Sequence, residues 1–177
     1  GERDAAELAA VLERLRASGA LAALVAEDAD VGRLLEDVRA CESAHAEMAT
    51  AFARPPRRRT TLVTAMAASA TARGAERWCR WLRFGREYTE PAVTTAERRE
   101  VLVTRLKDRR KMRASRLYFL LEALPPETLI YLWATGGPDV RARVEEFVRV
   151  LLPTTAAVSG ADLIELGLTP GPVFSGI

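Results

Sequence analysis

The sequence predicts an all-α protein, an irregular bundle of about nine to eleven helices with no sheet. Apolar residues recur at three- and four-residue spacing along most of the chain, and no stretch alternates apolar and polar residues as a half-buried strand does. Asp, Thr, Gly and Pro fall at the joints of the periodic runs, where helices start and stop. With 177 residues, 49% of them hydrophobic, the chain is globular and long enough for one core or two small packed subdomains.

The elements follow in order. In "DAAELAAVLERLRAS", Leu8, Val11, Leu12 and Leu15 form one apolar face, and Asp4 with Glu7 makes a capping pair. A longer helix begins near Asp30 and carries the stripe Leu34, Val38, Cys41, His45, Met48 and Phe52, until Pro55 and Pro56 break the chain. "RTTLVTAMAASATA" is a small-residue helix carrying Leu62 and Met66, with Gly74 as its stop. "AERWCRWLRFGREY" places Trp78, Trp81, Leu82 and Tyr88 on one face, which assigns these tryptophans to the core rather than to base stacking.

Thr94 and Glu97 form a capping box for the run to Leu124, which reads as one bent helix or two. Pro125 and Pro126 open "PETLIYLWAT", ended by Gly136 and Gly137; Val140, Val144, Phe147, Val148 and Leu151 mark the next helix, stopped by Pro153. In the closing "SGADLIELGLTPGPVFSGI", Ser159 or Gly160 caps a short helix over 161–166 and Gly167 stops it. Pro170 and Pro172 then prevent a new helix before Val173, which makes a helix–tight turn–helix element.

Several chemistries are excluded. No apolar run approaches the ~20 residues of a membrane span, and the start lacks a signal-peptide pattern, so the expectation is a cytoplasmic protein with no membrane partner. Cys41 and Cys79 read as buried thiols of a reducing compartment. One histidine and two distant cysteines make no zinc site. His45 lies on an apolar stripe and reads as a core histidine, not a catalytic base. The acidic clusters at 27–30 and 145–146 have no phosphate loop beside them and read as helix-start and solvent-face residues. No catalytic residue, metal ligand or cofactor site is assigned.

Charge is the stronger signal. Net charge is only +2, yet residues 1–53 carry 5 basic and 11 acidic side chains, residues 54–116 carry 18 and 6, and residues 117–177 carry 3 and 7. A net +12 centre between flanks of −6 and −4 points to a polyanion partner. The candidate phosphate-contacting residues are Arg57, Arg58 and Arg59, in the first turn of a helix and against its dipole; Arg77 and Arg80, with Arg83, away from the tryptophan face; and Arg105, Arg109, Arg113 and Arg116 at helical spacing, with Arg110 and Lys111 beside them. A phosphate-tracking surface and a solvated face paired with the acidic flanks both fit this pattern. The terminal turn also admits two readings, a packing turn or a set of backbone N–H groups for a phosphate.

The stretch "GADLIELGLTPGP", with Gly160, Asp162, Leu163, Gly167, Pro170, Gly171 and Pro172, resembles a signature near the C-terminus of the bacterial tRNA nucleotidyltransferase and poly(A) polymerase family, the CCA-adding and A-adding enzymes. The preceding "RASRLYFLLEALPPETLIYLWAT" is similar to that family's tail-region helix pair. The resemblance is specific over 113–177 and architectural before it. It implies a helical neck- and body-like region over 1–116 and a tail-like region over 117–177, parts of a larger transferase whose catalytic head, with its magnesium and ATP or CTP, lies outside this chain. By the same resemblance this part does no chemistry of its own and holds tRNA or another RNA for 3′-end nucleotide addition, in partnership with the head of the same polypeptide. Asp162 then stabilises a helix start rather than binding metal. The alternative is a helical scaffold or a homodimerisation domain without RNA binding.

Overall fold

The computed structural model describes residues 2–108 and 112–154, and over them the chain is helical with no strand. The helices are α1 (Glu2–Ala17), α2 (Ala20–Leu24), α3 (Val31–Met48), α4 (Arg58–Ala68), α5 (Ala72–Trp81), α6 (Arg86–Lys107), α7 (Ala114–Leu121), α8 (Pro126–Thr135) and α9 (Pro138–Glu146). A 3₁₀ turn, Ala49–Ala51, extends α3, and a π turn, Phe147–Leu151, extends α9. Among the described residues eight helices have eight or more residues, so nine to eleven is a slight overcount; α2 is little more than one turn.

Helix α8 organises the fold. Leu129, Ile130, Tyr131, Leu132 and Trp133 are consecutive and all buried, so apolar groups surround the axis and the helix must be covered on every side. Helices α3, α4, α6 and α9 cover it. One core cluster joins Met48 and Phe52 to Leu102, Leu106, Leu121, Leu132 and Phe147; a second joins Leu34, Val38 and Cys41 to Ala65, Ala68 and Tyr131. The third, built on Ala67, Ala70, Ala75, Trp78 and Ala92, uses small residues that let α4, α5 and α6 approach closely.

Local chemistry sets several boundaries as expected. The Asp30 carboxylate accepts hydrogen bonds from the Gly32 and Arg33 amides at 3.0 and 3.1 Å and starts α3. Gly137, at φ 86°, makes the left-handed joint between α8 and α9.

Other boundaries differ from the sequence reading. Helix α1 begins at Glu2, which puts Asp4 inside its first turn rather than at a cap. Helix α6 begins at Arg86, so Thr94 and Glu97 lie within it and form no capping box. Packing outweighs the local signal there: Ala92 and Thr95 are fully buried, and the Thr95 hydroxyl meets that of Thr128 at 2.8 Å. Phe84 stacks on Tyr88 at 5.1 Å and meets Trp78 edge-on at 5.9 Å, fixing the entry to α6. Pro91 lies inside α6, in its second turn, where it has no amide to donate to the Glu87 carbonyl and is buried instead.

Gly74 is not a helix stop. It sits in the first turn of α5, where its amide donates to the Thr71 hydroxyl at 3.1 Å. The Asp28 carboxylate lies over it and accepts from the Thr71 amide at 3.2 Å and from the Thr71 hydroxyl. That hydroxyl holds the Asp28 carboxyl below the usual carboxylate range. A Cβ at position 74 would come within 2.6 Å of Asp28 Cγ. Gly74→Ala is therefore expected to destabilise by about 1–3 kcal/mol, although alanine favours a helix interior over glycine by about 1 kcal/mol. Denaturant unfolding checks this, and a stabilised variant would show that Asp28 moves away without loss.

Candidate nucleic-acid interface

Helices α4 and α6 set the positions of the basic side chains. Ala67 and Ala70, at the end of α4, share a cluster with Ala92 and Val93 near the start of α6. Met48 and Phe52, which lead into α4, share another with Leu102 and Leu106 near its end. The two helices therefore run antiparallel. Arg57 and Arg59 at the start of α4 fall at the same end as Arg105 and Lys107 in the last turn of α6.

Helix α5, bearing Arg73, Arg77 and Arg80, packs at the other end, through Ala75 and Trp78. From Ala92 to Arg105 the separation along α6 is about 20 Å at 1.5 Å per residue. The fold thus divides the expected RNA-binding residues into two groups.

Arg57, Arg59 and Arg105 of the first group, and Arg113 at the start of α7, are exposed and make no ion pair among the described residues. Arg58 differs. Its Nε donates to Glu42 at 2.6 Å, so an acid on α3 supplies the compensation its place at the start of α4 requires. In the second group, Arg77 lies 3.9 Å from Glu27 and Arg80 lies 2.9 Å from Glu76, both exposed pairs of the kind worth little. Pairing to the acidic flanks is therefore real for Arg58 and loose for Arg77.

The helical spacing of Arg105, Arg113 and Arg116 does not place them on one helix. α6 ends at Lys107, Asp108 is extended, and α7 begins at Ala114 with Arg113 as its N-cap. The Asp108 carbonyl accepts from the Arg143 guanidinium, which ties this break to α9. The run read as one bent helix or two is two. Arg109, Arg110, Lys111 and the whole terminal motif, Gly160, Asp162, Leu163, Gly167, Pro170, Gly171 and Pro172, lie outside the described residues.

The expected non-candidates have structural duties. His45 Nδ1 is 3.0 Å from the Thr61 hydroxyl, and partial burial holds its pKa below the usual histidine value. Of the 27–30 acids, Asp28 braces α5, Asp30 caps α3 and Glu27 faces Arg77. Among the described residues no three His, Cys, Asp or Glu side chains gather to hold a metal ion, and no helix is long and apolar enough to cross a membrane. Cys41 and Cys79 are buried free thiols, and burial raises the pKa of each.

Two features escaped the sequence reading. Trp81, assigned to the core with Trp78, is 63% exposed. Asp37, 7% exposed, accepts a 2.7 Å hydrogen bond from the Tyr131 hydroxyl, with Arg33 Nε at 3.6 Å. Burial pushes the Asp37 carboxyl above the usual range, opposed by Tyr131, Arg33 and Arg99. An Asp on the apolar stripe of Leu34, Val38 and Cys41 and a Tyr within the apolar run 129–133 were the available signals, but nothing local pairs residues 94 positions apart.

Comparison with known proteins gives one partial likeness. No family model matches the chain, and no solved structure matches it. The chain is 36% identical over 76 residues to an A-adding tRNA nucleotidyltransferase of Geobacter sulfurreducens. The match covers 42% of this chain and 9% of that enzyme. The relative belongs to the family that the terminal motif resembles.

Proposed function

We propose that this chain is an RNA-positioning helical part of a larger nucleotidyltransferase, holding tRNA by its backbone while a head elsewhere in the polypeptide adds nucleotides. The observation that carries the reading is the group Arg57, Arg59 and Arg105 at one end of the α4–α6 pair, with Arg113 at the start of α7, all exposed and without ion pairs among the described residues. The partial likeness to an A-adding enzyme supports it. Cations fixed on three helices follow a phosphate path and read no sequence, which suits RNAs that share a shape and differ in bases.

Titration of the chain with unmodified tRNA at ~50 and ~200 mM salt tests this. With six or more phosphates contacted, affinity falls by about 10³ or more across that range. Absence of binding at ~50 mM would overturn it. A second reading rests on a separate observation: Phe119 and Val150, 71% and 58% exposed, lie on two elements that pack together, α7 and the π turn after α9. On that reading the chain sediments as a dimer and binds no RNA.

A further inference from the structure

Trp78 and Trp133 are 5% and 4% exposed, whereas Trp81 is 63% exposed. The turn after α5 creates the difference. The Phe84 amide donates to the Cys79 carbonyl at 2.9 Å and the Arg83 amide to the Arg80 carbonyl at 3.1 Å, with Arg83 at φ 56°. This is a Schellman closure in which arginine takes the left-handed place that glycine normally fills. It folds Phe84 back over Trp78 and leaves Trp81 uncovered.

Arg73, Arg77 and Arg80 precede Trp81 by eight, four and one positions. At 100° per residue they form one exposed strip running about 40–100° around α5 from Trp81, with Arg77, one turn before it, as its direct neighbour. Trp81, Trp78, Ala26, Gly74, Arg77 and Glu27 line an open cleft of about 260 Å³, smaller than a drug-sized site and of a volume that suits one ring system. Its floor is aromatic and aliphatic. Glu27, 91% exposed at the lip, opposes an anion inside the cleft, while the arginines favour one just outside it. A neutral ring carrying phosphates on either side meets both conditions.

We propose that Trp81 is a stacking platform for one unpaired base of a bound RNA, with Arg73, Arg77 and Arg80 holding the flanking phosphates. This rests on the RNA-binding reading above and adds a single-stranded subsite at the end of the molecule away from Arg57 and Arg105. Every base has a π face, so the platform is tolerant of sequence, and arginines beside the ring track the backbone.

The test titrates wild type, Trp81→Ala and Trp81→Phe with a short single-stranded oligoribonucleotide and with a blunt RNA duplex, following tryptophan emission and a labelled-RNA anisotropy signal. Single-stranded RNA is expected to quench wild-type emission chiefly through Trp81, with a smaller part from Trp78 in the cleft wall, and Trp81→Ala should remove most of it. Trp81→Ala should weaken single-strand binding about 5- to 150-fold with an unchanged salt slope, since no charge is removed. Trp81→Phe should bind within a few-fold of wild type, and duplex affinity should not respond to either substitution. The side chain is exposed, so melting temperatures should match.

Equal single-strand affinity for wild type and Trp81→Ala would overturn the platform and leave the RNA reading intact. Equal losses on single strand and duplex would overturn base stacking in favour of a general contact. If Trp81→Ala instead converts a dimer to a monomer, Trp81 serves a protein interface and the platform is wrong. Failure of wild type to bind either RNA at ~50 mM salt would overturn both readings together.

Discussion

Tyr131→Phe is expected to lower the unfolding free energy by about 1–3 kcal/mol, and Tyr131→Ala by about 3–5 kcal/mol. The ring is 1% exposed at the contact of α8 with α3 and α4, so its removal opens a cavity where three helices meet. Losing only the hydroxyl leaves the Asp37 carboxylate, itself 7% exposed, without its short donor. Arg33 Nε at 3.6 Å lies beyond hydrogen-bond length and cannot replace it.

The loss carries a pH signature. Burial already raises the Asp37 carboxyl above its unfolded value, and Tyr131 is the strongest group opposing that rise. A raised folded pKa contributes stability that is present below the unfolded pKa and lost as pH rises through the folded one. Removing Tyr131's hydroxyl raises the folded value further, so the Tyr131→Phe deficit should widen between about pH 4 and pH 7. Denaturant unfolding at both pH values, with Asp37→Asn and the double variant completing a cycle, reads this out. A deficit below about 0.5 kcal/mol that does not change with pH would mean the pair contributes nothing.

Replacing Arg57, Arg59, Arg105 and Arg113 together by alanine is expected to weaken tRNA binding by up to about 10³-fold at ~0.1 M salt. The salt slope should become shallower by about three to four, near 0.9 for each phosphate released. Stability should hardly move, because exposed side chains without ion pairs contribute within about 0.5 kcal/mol. Arg58 is excluded, since it holds α4 to Glu42 on α3 and its loss would confound folding with binding. A parent affinity and slope retained by this variant would remove the α4–α6 end from the interface, and the same measurement on Arg73, Arg77 and Arg80 would then decide for α5.

Much of the candidate interface was legible as composition and little of it as geometry. The +12 centre is a property of residue counts, and the Pro–Arg stretch before α4 fixes Arg57 and Arg59 at a helix start. Whether those arginines stand free was not legible. Glu42, which takes Arg58, is 16 residues away on another helix. Trp78 and Trp81 are three residues apart, separated by about 60° around α5, so periodicity alone puts both on one face. Only the return of Phe84 through the left-handed Arg83 turn decides which of them is roofed.

By itself the sequence determined the helical class, the Asp30 start of α3, the breaks at Pro55–Pro56 and Pro125, and the segregation of charge. Each of these depends on a residue and its near neighbours. Tertiary structure alone decided that α6 starts at Arg86 and runs through Pro91, that Arg105 and Arg113 belong to different helices, that Tyr131 meets Asp37, and that Trp81 faces solvent. The physical reason is common to all four. Local propensities near 1 kcal/mol are weaker than the burial of whole side chains at about 1.5–3 kcal/mol each, and the partners of that burial lie on helices the local sequence does not specify.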